Sequence, residues 1–295
     1  MAFMRKWIVA LAAMTLLAAA CAPEEDTPPA DSGSPSGSAS EQQTAADCAA
    51  GNEGAFVETG ALTVGTDMDF MFPPWILKRD PTSGKGFESA IAYEVASRMG
   101  FSNSEVSWVS VPFNSSYAPG PKDFDFDINN VSVTEERDQA VDFSDSYYDL
   151  TQALMVLKGS PIEDATTMDE IKDAIFGAQI GTTSLTFINT VIQPTNDPKV
   201  FDSTSDAKAA LRNGKVDGLV LDLPTAYFEA YINTPNGALV GQFPSAGEYL
   251  GILFEEGSPL VDCANLAIAE MTADGTLAQL QDRWLADYLA VPVIE

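Results

Sequence analysis

Arg137 is the residue whose surroundings speak most directly of chemistry. It falls within the run N-N-V-S-V-T-E-E-R-D-Q-A-V-D-F-S-D-S-Y-Y, Asn129 to Tyr148, five residues beyond Ser132. The chain carries 15 Lys and Arg against 43 Asp and Glu, a formal net charge of −28. A cation kept against that background has something to hold. A guanidinium presents a planar fork of donors that meets a carboxylate through two bonds at once. The N-N-V-S ahead of it supplies backbone groups and a hydroxyl for a neighbouring polar group. The plainer account is a surface arginine following a strand.

Other polar groups gather where strands end. Gly65-Thr66-Asp67 closes a strand and leads into Asp69, Phe70, Phe72, Pro73, Pro74 and Trp75, an acidic and aromatic loop. Phe113 follows a strand around Trp108. Gly181-Thr182-Thr183-Ser184 follows a strand and opens a helical segment, where free backbone N–H groups and hydroxyls make an anion site. Val216 to Leu221 ends on Asp222, a placement that also suits a helix cap.

Composition removes several function classes. With no histidine in the chain, Ser-His or Cys-His catalysis and His-ligated metal sites are excluded. Nucleic acid is excluded as a partner because phosphate binding needs a basic footprint. The acidity also disfavours adsorption to an anionic membrane, and its plain reading is a solvated, soluble surface.

These residues need a scaffold of alternating strands and helices. Leu62–Val64, Val106–Trp108, Phe124–Ile128, Ala178–Ile180 and Val216–Leu221 read as strands. Phe87, Ile91, Val95 and Met99 recur at helical spacing before Gly100. Leu260, Ala264, Ala267, Ile268 and Met271 form a second apolar stripe, and Leu277, Leu280, Trp284 and Tyr288 a third. The alternation predicts an α/β protein with an open, largely parallel sheet, or two of them. Ligands of such sheets sit at the carboxyl ends of strands, where the residues above fall.

The first residues read as an export signal. Arg5 and Lys6 precede the apolar run Trp7–Leu17 and then Ala18-Ala19-Ala20-Cys21. That run is short for a membrane span, and the cysteine after small residues resembles the bacterial lipobox, in which it is acylated. Residues 21–47, rich in Pro, Ser and Gly, read as a disordered tether. With Cys21 taken by lipid, Cys48 and Cys263 remain, either as a pair in an oxidising setting or as two buried thiols.

The Asn129–Tyr148 run closely resembles the S-I-T-x-x-R-x-x-x-V-D-F-S-x-P-Y-Y signature of the bacterial extracellular solute-binding proteins that deliver polar amino acids to ABC importers, with Ser146 in place of the usual Pro. Gly65–Trp75 resembles the family's G-T-D-x-x-Y-P-P-F, and Gly275–Trp284 its closing motif. The resemblance spans roughly Leu62 to Tyr288. It implies a two-lobed periplasmic-binding-protein-like fold of type II, lobes joined by two crossing strands near Asp149–Ala153 and Phe243–Leu250. Residues 1–20 are then the signal, 21–47 the tether, 48–150 with 247–295 lobe one, and 151–246 lobe two. Cys48 and Cys263 both fall in lobe one, which favours a disulfide.

By the same resemblance, Asp67, Phe70, Trp75 and Phe113 line the ligand's side chain. Arg137, Thr182 and Thr183 clamp its carboxylate, with Asn130 and Ser132 beside them. Asp222 accepts its ammonium. One cation and one anion held apart match an α-amino acid. The implied protein is a monomer without cofactor or metal, held at the cell membrane by lipid alone, that hands an amino acid to an ABC permease. Rival readings are an enzyme on the same fold, similar to periplasmic dehydratases with Asp67, Asp69 or Glu88 as general acid, and a ligand-sensing ectodomain.

Overall fold

The computed structural model describes residues 43–69 and 71–295. In chain order its strands are β1 (Leu62–Thr66), β2 (Val106–Ser110), β3 (Phe126–Asp127), β4 (Asp142–Leu150), β5 (Gln152–Leu157), β6 (Phe176–Gln179), β7 (Lys199–Phe201), β8 (Gly218–Asp222), β9 (Gly237–Gln242) and β10 (Glu248–Phe254). They form two five-stranded sheets, ordered β2-β1-β3-β10-β4 and β7-β6-β8-β5-β9. The chain passes from the first sheet to the second at Thr151 and returns between Gln242 and Glu248.

Both sheets are mixed, where the sequence predicted largely parallel ones. β1 runs parallel to β2 and β3, and β6 parallel to β7 and β8. β10 is antiparallel to β3 and β4, and β5 to β8 and β9. The physical reason is the crossing: β5 and β10 enter their sheets from the end toward which the βαβ strands point.

The helices are α1 (Ala45–Gly51), α2 (Phe87–Arg98), α3 (Phe113–Ser116), α4 (Met168–Ile171), α5 (Thr183–Phe187), α6 (Thr204–Arg212), α7 (Leu223–Phe228), α8 (Leu260–Ala273) and α9 (Thr276–Leu289). The apolar stripes of α2 and α8 bury Phe87, Ile91, Val95, Leu260, Ala264 and Ile268 against Leu62, Val64, Ile252 and Phe254 of the first sheet. In the second sheet, alternation divides β5 between two cores. Leu154 and Val156 join one with Phe176 and Val220, while Ala153 and Met155 join the other with Leu219 and Leu221.

Two boundaries differ from the sequence reading. The tether was expected to run to residue 47, yet α1 starts at Ala45, where Thr44 and Asp47 form a capping box and Ala45 is buried. The segment 247–295 was assigned to lobe one. Its last residues instead pair with the second sheet: Val293 bridges Gln242, and Ile294 enters the core around Phe176. α1 packs on α8, and the Cys48 and Cys263 sulfurs lie 2.03 Å apart across that contact. Cys21 lies outside the described residues.

Candidate ligand-binding site

A cavity of about 340 Å³ opens between the sheets. Thr66, Gln179 and Asp222, the last residues of β1, β6 and β8, stand in or beside its wall. Nearly all the residues picked out from sequence converge there. Asp67, Phe113, Asn130, Ser132 and Arg137 line it from the first sheet, and Thr182, Thr183 and Asp222 from the second.

Arg137 is only 6% exposed and dominates one pole of the cavity. The Thr134 hydroxyl accepts from the Arg137 amide at 3.2 Å and starts the tight turn Arg137–Gln139 that turns the side chain inward. One guanidinium nitrogen, Nη1, donates to the Ser132 carbonyl at 2.6 Å, and Nη2 donates to the Gly181 carbonyl of the other sheet at 2.8 Å. The guanidinium carbon sits 4.5 Å from the Tyr117 ring centre and 5.5 Å from that of Phe113, within cation–π range. Burial lowers the Arg137 pKa, with the nearby Tyr117, Glu248 and Asp222 opposing. An arginine stays charged under such pressure.

Gly181 is required at this pole. Its φ is +75°, and a Cβ there would stand 2.7 Å from the Tyr117 hydroxyl. The close approach lets Tyr117 and Arg137 reach the same carbonyl. Beside it, Thr182 caps α5, accepting from the Leu185 amide at 3.2 Å. The Thr183 hydroxyl lies 3.4 Å from that of Ser132, across the cavity mouth.

The opposite pole centres on Asp222. It occupies the N-cap position of α7, but its side chain makes no capping bond. Instead Oδ1 accepts from Gln152 Nε2 at 2.9 Å. The same nitrogen donates to Glu248 Oε2 at 2.9 Å, while Gln152 Oε1 accepts from Ser184 at 2.7 Å. Ser132 Oγ donates to Glu248 Oε1 at 2.7 Å. Burial first, and then the Glu248 charge, push the Asp222 pKa up to about 7, against the Gln152 hydrogen bond and Arg137.

The walls between the poles differ from the sequence expectation. Trp75 was expected at the ligand, but it is buried behind the lining, packed on Phe87 and Tyr148, with its Nε1 donating to Thr225 Oγ1 at 3.1 Å. Phe72 lines the cavity in its place and stacks on Phe228 with ring centres 5.2 Å apart. Phe70 lies outside the described residues. Asp67 spans its loop, accepting from the Asp69 and Phe113 amides at 3.0 and 3.1 Å. Asn130 sits at φ +53°, held there by Glu88 Oε1, which accepts from its amide and from the Tyr147 hydroxyl, both at 2.7 Å. Glu88 is 2% exposed beneath that floor, where burial raises its pKa.

Several lining or supporting residues escaped the sequence reading. Gln179 faces the cavity and its Oε1 accepts from the Thr204 amide and hydroxyl, bringing Asp202 and Ser203 to the wall. Its position at the end of a strand was a usable signal. Gln152 and Glu248 carried none, because they lie 70 and 26 residues from Asp222 on the two crossing strands. Among the described residues no cluster of acidic or sulfur ligands is arranged to hold a metal. No described helix is long and apolar enough to cross a membrane.

Two α/β lobes joined by crossing strands, with an oppositely charged pair facing one cavity, define a ligand-binding protein of hinge type. The chain belongs to the bacterial extracellular solute-binding proteins, family 3, whose profile matches residues 62–287. It is 28% identical over 229 residues to the L-cystine-binding protein TcyJ of Escherichia coli (strain K12), covering 77% of this chain and 83% of that one. It is 28% identical over 214 residues to the ABC transporter glutamine-binding protein GlnH of Bacillus subtilis (strain 168), covering 71% and 76%. Among solved structures it matches an ancestral arginine-binding protein bound to glutamine with a TM-score of 0.64 and 31% identity, covering 77% and 99%. The fold is that of the type II periplasmic binding proteins.

Proposed function

We propose that this protein is a receptor that captures an amino acid between its lobes and delivers it to an ABC importer, without catalysing a reaction. The observation that carries this reading is the pairing of Arg137 and Asp222 on opposite sheets across one cavity. A guanidinium facing an α-carboxylate and a carboxylate facing an α-ammonium fit the two charges every amino acid carries. Of the three carboxyls named as a general acid, Glu88 is sealed beneath Asn130 and Tyr147, while Asp67 and Asp69 stand in the cavity wall. The L-cystine-binding relative and the glutamine-binding relative of an ABC transporter support the same reading.

The described lining also carries Asp67, Asp69 and Asp202, while Arg137 is its one cation. That surplus of carboxylates favours a ligand with a cationic side chain and opposes an acidic one. Export by the leading segment, acylation at Cys21 and a Cys48–Cys263 disulfide complete the proposal. The receptor acts as a monomer at the outer face of the membrane and meets a permease there.

Calorimetry with L-arginine, L-lysine, L-glutamine, L-cystine and L-glutamate tests the reading. Tight binding of a basic amino acid and the weakest binding by glutamate are expected. Failure of all five to bind would overturn amino-acid capture, and glutamate binding as tightly as arginine would overturn the charge argument. Peptide mass spectrometry after alkylation of the denatured chain should find Cys48 and Cys263 unreactive.

A further inference from the structure

Glu248 is not part of the cavity lining, yet it is tied to both halves of the site. It opens β10, at the point where the chain re-enters the first sheet. Its Oε1 accepts from Ser132 Oγ at 2.7 Å, and its Oε2 accepts from Gln152 Nε2 at 2.9 Å. Gln152 opens β5, the other crossing, and the same Nε2 reaches Asp222 Oδ1 at 2.9 Å. One amide thus holds two carboxylates side by side, one on each lobe, with the amide oxygen fixed by Ser184.

Two carboxylates sharing one amide nitrogen repel unless one carries a proton or a cation lies between them. The other groups facing Asp222 do not supply that cation in full. Arg137 is the one positive charge among them and is already engaged by two carbonyls. Glu88 on α2 adds negative charge, and Tyr147 and Tyr148 on β4 are buried and neutral. Burial and the Glu248 charge hold the Asp222 proton up to about pH 7.

We propose that Glu248 is a positioning residue of the ammonium pole, and that through it an ammonium-bearing ligand enters in exchange for a proton held on Asp222. The exchange balances: the Asp222 O–H bond breaks, its proton leaves to solvent, and the ligand's –NH3+ takes the place of the lost charge at the carboxylate. It rests on the amino-acid reading of the cavity. Proton and ligand then compete for one site, so affinity rises with pH and levels off above the Asp222 midpoint.

The test is titration calorimetry of the intact chain with L-arginine in buffers of different ionisation enthalpy. At pH 7 the wild type should release about half a proton per ligand, and affinity should fall about tenfold per pH unit well below the midpoint. Glu248→Gln should release less than half as much, with the pH profile shifted to lower pH, and Glu248→Asp should restore much of the wild-type profile. Equal proton release by wild type and Glu248→Gln overturns the proposal, as does an equal loss of affinity at every pH. A ligand-free check separates this from failure of the amino-acid reading. The carboxyl carbon of Asp222, followed by NMR, should titrate near neutrality and shift to lower pH in Glu248→Gln, and an unmoved midpoint refutes the inference whatever the ligand.

Discussion

The two poles of the cavity hold their charges by different means. Arg137 is fixed by two backbone carbonyls, Ser132 and Gly181, and by the rings of Tyr117 and Phe113. Asp222 is held by one side-chain amide that also holds Glu248. The first pole is therefore built from the main chain around a charge that never titrates. The second is built from side chains around a charge that comes and goes near neutrality. On the proposed reading, the carboxylate of an amino-acid ligand meets a rigid, constant charge at Arg137, and its ammonium meets an adjustable one at Asp222.

Truncation should expose the difference most strongly at the rigid pole. Arg137→Ala removes the one cation of the described lining, and amino-acid affinity should fall by about 2 to 5 kcal/mol with the fold retained. Calorimetry alongside thermal unfolding checks it. A loss under threefold would show that the carboxylate is held elsewhere.

Asp222→Asn is expected to cost about 1.5 to 3 kcal/mol for an amino acid and much less for its des-amino analogue. It should also flatten the pH profile. In the wild type, an analogue with only the carboxylate should bind equally across the range in which the amino acid's affinity changes. Matching losses for the two ligands would make Asp222 a packing residue and erase the contrast between the poles.

Gly181→Ala tests the main-chain element. A side chain at φ +75°, 2.7 Å from the Tyr117 hydroxyl, should disfavour the closed approach by about 1 to 2 kcal/mol. Weaker binding with a wider hinge by small-angle scattering is the expected result. The smallest effect should come from Tyr117→Leu, which removes the nearer ring from Arg137 and should cost about 0.5 to 1 kcal/mol of affinity, measured by calorimetry. An effect as large as that of Arg137→Ala would mean that the rings, not the carbonyls, hold the guanidinium.

How much of this was legible in the sequence follows a pattern. The strand ends that carry Asp67, Phe113, Thr183 and Asp222 were readable because each lies at or just beyond an apolar run, and Arg137 because it is a rare cation within the Asn129–Tyr148 run. The aromatic wall was read less well. The loop between Asp67 and Trp75 holds three large rings, and spacing alone matched Trp75 where the fold turned Phe72 to the cavity. The start of α1 was present in Thr44-Ala-Ala-Asp47 as a capping pattern, but the surrounding Pro and Ser composition concealed it.

The sequence by itself determined the alternating strands and helices, the excess of acid, the lack of histidine and the local turns that aim Arg137 and cap α5. These depend on covalent neighbours, and a side chain three or four residues away is within reach in any fold that keeps the local geometry. Tertiary structure alone decided that Gly181 would stand against Tyr117, that Trp75 would turn toward Thr225, and that Gln152 would join Asp222 to Glu248. It also decided that burial and the Glu248 charge raise the Asp222 pKa. Desolvation and charge–charge repulsion depend on distance through space and on the exclusion of water, and neither is set until two crossing strands bring distant parts of the chain together.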